Sequence, residues 1–517
     1  MEDQKDSSIF TLASQGGISL FGKVCGKSLG FIFVIVATRL VSPSEYGLFT
    51  LGISIVMFVQ GFTSLNINRS LDYFIPKFLN QSEYGHAKST LITVFSIGIF
   101  TSLIGSLILI SVKEQVSALF QEPELVGFIP YLAALIPLYT VYKILSSSFN
   151  SIKKMECRVL MRDLLNPLVR TIGAAGLVFA GYGVFGLIAG QIFGLLIAIL
   201  LGSILLFYEA GWILNTDSKN VSNKDLVSYS VPLVFAGVLY SLVGQIDYFV
   251  IGYFYSSTEV GQYRVAYLLS GNLLIVLSAI TPIFKPMIAE NQSDSALLES
   301  RYQLATRWVT MLTLPIALTL ILAPKTYLSI FFTSEYSIAA TALVTLLVGY
   351  LINASFGPEG MVLEGLGHTR LTLFNTAVLV CTNTLLNFVL IPTLGILGAG
   401  IATGTALAVG GAIGVLEIHF LRSVTPYTNK LFRVWLGIIP SCIIGWAIVF
   451  LNLGKFPTAL ILPPTVVGTF VLGLRLFNGF SEDDFQVASR IDDRLGFSVV
   501  QTIISPGDGV AVLNSEE

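Results

Sequence analysis

Long apolar stretches recur along almost the whole chain, over 18–41, 48–66, 91–112, 127–142, 173–207 and onward. Most are long enough to cross a hydrocarbon core of roughly 30 Å at about 1.5 Å per residue. They lack the period-two polar alternation of barrel strands, so they predict helices. The pattern divides into about fourteen spans: 17–41, 47–74, 87–112, 127–149, 160–181, 183–208, 227–254, 262–286, 304–331, 338–365, 370–391, 396–421, 432–452 and 457–477. Connections are short, and none is large enough to fold as a domain outside the membrane. The expected class is an all-α polytopic membrane protein.

Lysine and arginine give these spans a direction. With the N-terminus cytoplasmic, twenty of the 29 fall on the inner side and four (Arg39, Lys113, Lys325, Lys455) on the outer side. The remaining five lie within spans or at their margins. Cationic residues are retained on the cytoplasmic side, so both termini are expected inside and the span number even. The expected location is the cell membrane. No cleavable leader pattern precedes the first span.

An internal repeat is visible. Ser42, Glu45 and Gly47 match Ser256, Glu259 and Gly261 at an offset of 214, while Gly183 and Gly186 match Gly395 and Gly398 at 212, as Arg158 matches Arg370. Six spans are thus repeated with the same order and orientation, which implies a pseudo-two-fold axis along the membrane normal and a site between the halves. The expected organisation is a cytoplasmic start (1–16), a six-helix bundle (17–208), a cytoplasmic linker (209–226), a second six-helix bundle (227–421), two extra helices (432–477) and an acidic cytoplasmic tail (478–517).

Composition agrees. Hydrophobic residues make up 54% and charged residues 12%, with a mean hydropathy of +0.79, against about 25% charged in soluble domains. The net charge of −2 conceals a tail in which eight acids face Arg490 and Arg494. Four scattered cysteines (25, 157, 381, 442) suggest neither disulfides nor a metal site.

The Ser42-Pro-Ser-Glu45-Tyr-Gly47 turn, the segment from Gly61 through Asn66 to Arg69, and Arg158 and Arg370 after even-numbered spans resemble polysaccharide-export flippases of the multidrug/oligosaccharidyl-lipid/polysaccharide superfamily. The Gly-Val-Phe-Gly and Gly-Ile-Leu-Gly-Ala-Gly turns fit the same pattern. The likeness covers residues 8–478. The tail from Ser481 to Gly496 is similar to archaeal members linked to N-glycosylation of surface-layer glycoproteins. The resemblance implies translocation of a lipid-linked oligosaccharide, on a dolichyl or polyprenyl phosphate, from the cytoplasmic to the outer leaflet by alternating access. It also implies contact with membrane lipids and neighbouring glycosyltransferases or an oligosaccharyltransferase, and no cofactor.

Ionisable groups inside spans are costly and tend to face a cavity or a partner. Lys27, Arg69, Asp72, Lys143, Arg170 and Asp247 form this set, and their excess of cations suits an anionic cargo. Arg69 and Asp72 are three residues apart and share a helix face, which Asn66 and Tyr73 extend. A guanidinium beside an amide and a phenol can hold a phosphate. A local Arg69–Asp72 ion pair is the alternative. Lys27, Lys143 and Arg170 can instead snorkel or cap carbonyls, and Arg39 and Arg264, placed at the outer mouth, can be interfacial anchors. Asp247 is either a cross-helix partner of a cavity cation or a cation-coupling carboxylate. Prolines inside spans bend helices, and Pro282 and Pro358 are the hinge candidates.

Signals for catalysis are poor. His86, His368 and His419 have no metal-ligand spacing, and the glycine pairs lack a P-loop lysine or a Rossmann strand. No nucleic-acid motif is present. A cation-coupled drug or metabolite antiporter calls for carboxylates in the first half, of which the first span has none. A membrane glycosyltransferase or polymerase calls for a large outer loop with an acidic pair, which is not seen.

Overall fold

The computed structural model describes residues 2–219, 237–239, 242, 244–273, 277, 284, 288, 294–481 and 484, with backbone alone over 2–16 and at 20. Among the described residues every regular element is helical, and eleven helices are long and apolar enough to cross a membrane. In lipid, backbone groups have no water to bond, so helices that satisfy them internally are the natural answer to this sequence. The chain is a multi-pass helical membrane protein.

Met155–Glu209 counts as one stretch of 55 residues, where the sequence suggests spans at 160–181 and 183–208. Left-handed Gly181 (φ 91°) and Gly183 (φ 46°) mark the turn between them. The expected spans 227–254 and 262–286 lie partly outside the described residues, as do Pro232, Pro282 and the tail beyond Asp484.

Packing divides the chain into two compact units, one formed by Met1–Leu268, Phe331–Ala339 and Val380–Ala402, the other by Leu269–Ile330, Ala340–Leu379 and Thr403–Glu517. This partition does not coincide with the repeat.

In the first unit the repeated motif appears twice as a helix start. Ser42 N–H donates to Glu45 Oε2 at 2.9 Å while Glu45 N–H donates to Ser42 Oγ at 3.3 Å, a reciprocal cap for Pro43–Thr63. Ser256 N–H donates to Glu259 Oε2 at 3.1 Å ahead of Ser257–Gly271. The two starts touch each other. A Cβ on Gly47 would lie 1.6 Å from the Ser257 carbonyl oxygen, and one on Gly261 would lie 2.4 Å from the Pro43 carbonyl oxygen. Pro43 and Ser257 are equivalent at the offset of 214, so the contact is reciprocal and needs glycine on both sides.

The second span is not the single helix expected over 47–74. Pro43–Thr63 stops, Leu65 (φ 47°) and Asn66 (φ 46°) turn left-handed, and Asn68–Asn80 starts afresh. Asn tolerates this region better than most residues because its short polar side chain can bond locally. Consequently Asn66 does not extend an Arg69 helix face, and Tyr73 is exposed rather than cavity-lining. The new helix is pinned by Ile67, Leu71 and Ile75, each at most 1% exposed, against a core that includes Val94, Phe149 and Met161. Their i, i+4, i+8 spacing turns Arg69 to the opposite side and leaves Asn68 and Asp72 on the flank between.

In the second unit a Cβ on Gly349 would lie 2.3 Å from Gly404 Cα, so Ala340–Phe356 and Ile396–Arg422 approach at backbone contact. The helix breaks at left-handed Gly357 (φ 72°) and Pro358, and Tyr302 Oη donates to the Phe356 carbonyl oxygen at 2.7 Å, occupying an acceptor near the break. Beyond the last span, Asp484 is buried against Arg307 (Nη2–Oδ1 2.8 Å) and accepts from Trp308 Nε1 at 2.8 Å and Ser481 N–H at 2.8 Å.

Candidate functional site

The first unit contains a cavity of about 670 Å³. Four helical segments build it. Pro43–Thr63 supplies Met57 and Gln60, and the left-handed turn supplies Asn66. Asn68–Asn80 supplies Asn68, Arg69 and Asp72, while Leu125–Ser151 supplies Tyr139, Tyr142, Lys143, Ser146, Ser147 and Asn150. Arg158 and Arg162 come from the next helix, and Gly237 and Gln245 complete the wall. Arg162 sits in a π-helical turn, Leu160–Leu165, a widening often found at functional sites. Four cations thus share the lining with one carboxylate.

Arg69 makes no ion pair with Asp72 within 4.0 Å, and its guanidinium has no protein hydrogen-bond partner among the described residues. Its guanidinium is therefore available to a ligand. Arg158 donates to Asn150 Oδ1 at 3.0 Å, and its buried Nε meets no acceptor among the described residues. Arg162 Nε stands 3.9 Å from Asp163 Oδ1, a loose pair between an exposed guanidinium and a largely buried carboxylate. Asn68 Nδ2 donates to Ser147 Oγ at 2.9 Å, tying the short helix to Leu125–Ser151. Lys143 Nζ donates to Gln60 Oε1 at 2.5 Å. Such a surface offers guanidinium forks, amides and phenol faces together. These suit a phosphate joined to a hydroxyl-rich headgroup.

Of the expected site residues, Arg69, Asn66, Asp72 and Lys143 line this cavity together. Lys27 is exposed and does not line it. Arg170 lies with its guanidinium carbon 4.2 Å over the Phe33 ring and donates to Gln191 Oε1 at 3.4 Å. Asp247, 3% exposed, accepts from Tyr263 Oη (2.6 Å), Asn387 Nδ2 (2.6 Å) and Asn383 Nδ2 (3.1 Å), all neutral donors. Arg264 donates to Tyr248 Oη at 2.9 Å, and Arg39 Nε donates to the Phe331 carbonyl oxygen at 3.2 Å. Pro358 stands at the helix break described above, and Pro282 is outside the described residues.

Sequence reasoning passed over Gln60, Asn68, Tyr139, Tyr142, Arg158 and Arg162. Arg162 served only to orient the chain, and Arg158 to orient it, mark the repeat and carry the family resemblance. A signal was nevertheless present. Tyr139, Tyr142, Lys143, Ser146, Ser147 and Asn150 follow i, i+3, i+4, i+7, i+8, i+11, a polar stripe down an otherwise apolar span.

Comparisons with known proteins agree with this architecture. The chain is similar to a Haloferax volcanii protein named a probable low-salt glycan biosynthesis flippase, Agl15, at 26% identity over 38% of this chain and 40% of that protein. It is also similar to a second protein of that organism, the probable flippase AglR, at 26% identity over 50% of this chain and 55% of that protein. The chain therefore spans about half the length of the curated relatives it matches. Among solved structures, the lipid II flippase MurJ in an inward closed conformation matches with a TM-score of 0.67 at 16% identity, over 88% of this chain and 98% of that one. An inward-facing multidrug transporter of the MATE family, in the MOP superfamily, matches with a TM-score of 0.56 at 14% identity, over 80% of this chain and 94% of that one. These structural likenesses establish a fold shared with both. A profile for the family described as polysaccharide biosynthesis protein matches residues 36–341, more than half the chain, and the protein belongs to that family.

Proposed function

We propose that this protein is a flippase for a lipid-linked oligosaccharide, carried on a polyprenyl- or dolichyl-type phosphate and destined for cell-surface glycan or N-glycan assembly. The observation that carries the reading is the cavity. Arg69, Arg158, Arg162 and Lys143 face one carboxylate, and amides and tyrosines fill the rest of the wall. The lysine and arginine bias places the mouth near Asn150 and Arg158 on the cytoplasmic side, the leaflet in which the cargo is made. The phosphate meets the arginines at that level, the glycan occupies the polar cavity and the lipid tail stays between helices. Movement to the outer leaflet follows from alternating access. Names of relatives that include the word flippase support the same reading.

The test is reconstitution. Purified protein in liposomes should move a fluorescent polyprenyl-phosphate oligosaccharide between leaflets, and Arg69→Ala should stop that movement while the variant stays folded and membrane-inserted. Deleting the gene should leave the fully assembled lipid-linked glycan on the cytoplasmic side. Normal movement in Arg69→Ala removes Arg69 from the mechanism. A missing or shortened glycan in the deletion strain points to an enzyme instead.

A cation-coupled antiporter of the same superfamily is the second reading, and Asp247 favours it. Its carboxylate is buried among Tyr263, Asn383 and Asn387, and Asn387 Oδ1 is buried with no donor among the described residues. Transport of an amphipathic cation in place of the glycan lipid would decide for it.

A further inference from the structure

The cavity's polar groups are not evenly spread. Lys143 and Asn150 lie seven residues apart on Leu125–Ser151, about 10 Å along the helix axis. Arg158 bonds to Asn150 and marks one end of that interval, while Lys143 and Gln60 mark the other.

At the Lys143 end the hydrogen bonding is incomplete. An ammonium has three donors and no acceptor, and a carboxamide has two donors. Lys143 spends one donor on Gln60 Oε1. That bond fixes the amide's orientation, because the oxygen must face the ammonium and the nitrogen must point away. Gln60 is 1% exposed, and its Nε2 meets no acceptor among the described residues. Two ammonium N–H bonds and two amide N–H bonds are thus left at one point of the wall. Among the described residues the lining's only carboxylate, Asp72, sits on the neighbouring short helix rather than on either of these two. Lys143 is exposed to the cavity with a neutral acceptor as its hydrogen-bond partner, so its charge is left for a ligand anion.

We infer that Gln60 and Lys143 form a second anion subsite, apart from the Arg158–Asn150 end, that receives an acidic group of the glycan itself, a sugar carboxylate beyond the lipid phosphate. This rests on the flippase reading and specifies its cargo as an acidic saccharide. A neutral sugar hydroxyl satisfies single donors. A carboxylate, with two oxygens and about four lone-pair sites, takes the ammonium and the amide together. The alternative source of the same chemistry is the carrier phosphate, seated deep instead of at the arginines.

Binding separates the two. Full-length protein in nanodiscs is titrated with two short-chain polyprenyl-phosphate disaccharides, one ending in glucuronate and the other in glucose. The wild type should bind the glucuronate lipid about tenfold more tightly, the effect of one charge-assisted contact. Lys143→Met and Gln60→Leu should each bring the ratio of the two affinities close to one, and Lys143→Arg should keep the preference. Wild-type melting and elution of each variant certify the fold. A wild type that binds both lipids equally overturns the inference and leaves the flippase reading standing. Loss of both lipids in the same proportion on Lys143→Met assigns the pair to the carrier phosphate and also overturns it. Failure of the wild type to bind either lipid overturns the flippase reading, and this inference with it.

Discussion

Gly47→Ala tests whether the duplicated helix starts are held together as closely as they look. The new Cβ would lie 1.6 Å from the Ser257 carbonyl oxygen and 2.9 Å from Gly261 N. Ordinary C···O contacts run to about 3.3 Å or more, so the two helix starts must part by roughly 1.7 Å. Both atoms in the clash are backbone or Cβ, so no rotamer relieves it. Overpacking of this kind costs about 1–3 kcal/mol, a factor of about 5–150 in a two-state equilibrium. The local term has the opposite sign, since Ala in a helix is favoured over Gly by about 1 kcal/mol. Any loss therefore reports the contact and not the helix. The assay uses Ser44 and Ser257, whose Oγ atoms are 3.1 Å apart. Replaced by cysteines in a background free of Cys25, Cys157, Cys381 and Cys442, the pair should form a disulfide readily under mild oxidation. Adding Gly47→Ala should slow its formation by at least fivefold, in line with that factor of about 5–150. Gly127→Ala, where a Cβ meets nothing within 4 Å, is the control and should not. Equal disulfide yields with and without Gly47→Ala would refute the reasoning.

Three further outcomes follow from the same geometry. Leu71→Ala, which empties a fully buried site behind the cavity, should destabilise the protein by about 2–5 kcal/mol, read as a lower melting temperature in detergent. Arg158→Ala should weaken binding of a polyprenyl-phosphate lipid by about tenfold or more, and Arg158→Lys, which keeps the charge but loses the fork, should recover only part of it in the same titration. Asp484 is pushed up by burial but pulled down further by the Arg307 ion pair and the Trp308 and Ser481 hydrogen bonds, and its carboxyl ends below the usual carboxylate range. A depressed folded value means the clamp's stabilisation is present above about pH 4 and is lost as pH falls through the folded value. Trp308 fluorescence should therefore be flat from neutral pH down to that range and change below it, and Asp484→Asn should remove the change.

The helical class, the spans and the capped repeat were legible because each depends on local pattern: apolar run length, cap residues and glycine at a fixed offset. Ser42, Glu45 and Gly47 and their copies at Ser256, Glu259 and Gly261 do in the structure what their spacing suggests. The break in the second span was less legible. Arg69 and Asp72 read as residues of one helix, but Leu65 and Asn66 in left-handed geometry place them on a separate one. That conformation is selected by the packing of Ile67, Leu71 and Ile75, which a hydropathy window cannot see. Lys27 and Lys143 look alike in sequence, each a lysine inside an apolar run. Lys143 belongs to a stripe of polar neighbours on its face and lines the cavity, whereas Lys27 does not line it.

The repeat itself separates scaffold from chemistry. At the offset of 214, Gln60 falls on Leu274 and Arg69 on Ile283, and at the offset of 212 that aligns Arg158 with Arg370, Lys143 falls on Ser355 and Arg162 on Phe374, so none of these cavity groups has a charged or amide duplicate. The caps and the Gly47 and Gly261 contact do recur. A duplicated helix bundle needs its caps and close approaches in both copies, because each copy must satisfy its own backbone. A single-copy cargo site has no such demand, and polar groups left in apolar spans without a ligand would only add cost. Retention of Gln60, Lys143 and Arg162 in one copy alone is therefore the pattern expected of groups that answer to the cargo. Arg158, which recurs as Arg370 at 212, answers to both demands, bonding to Asn150 as a scaffold residue while lining the same cavity.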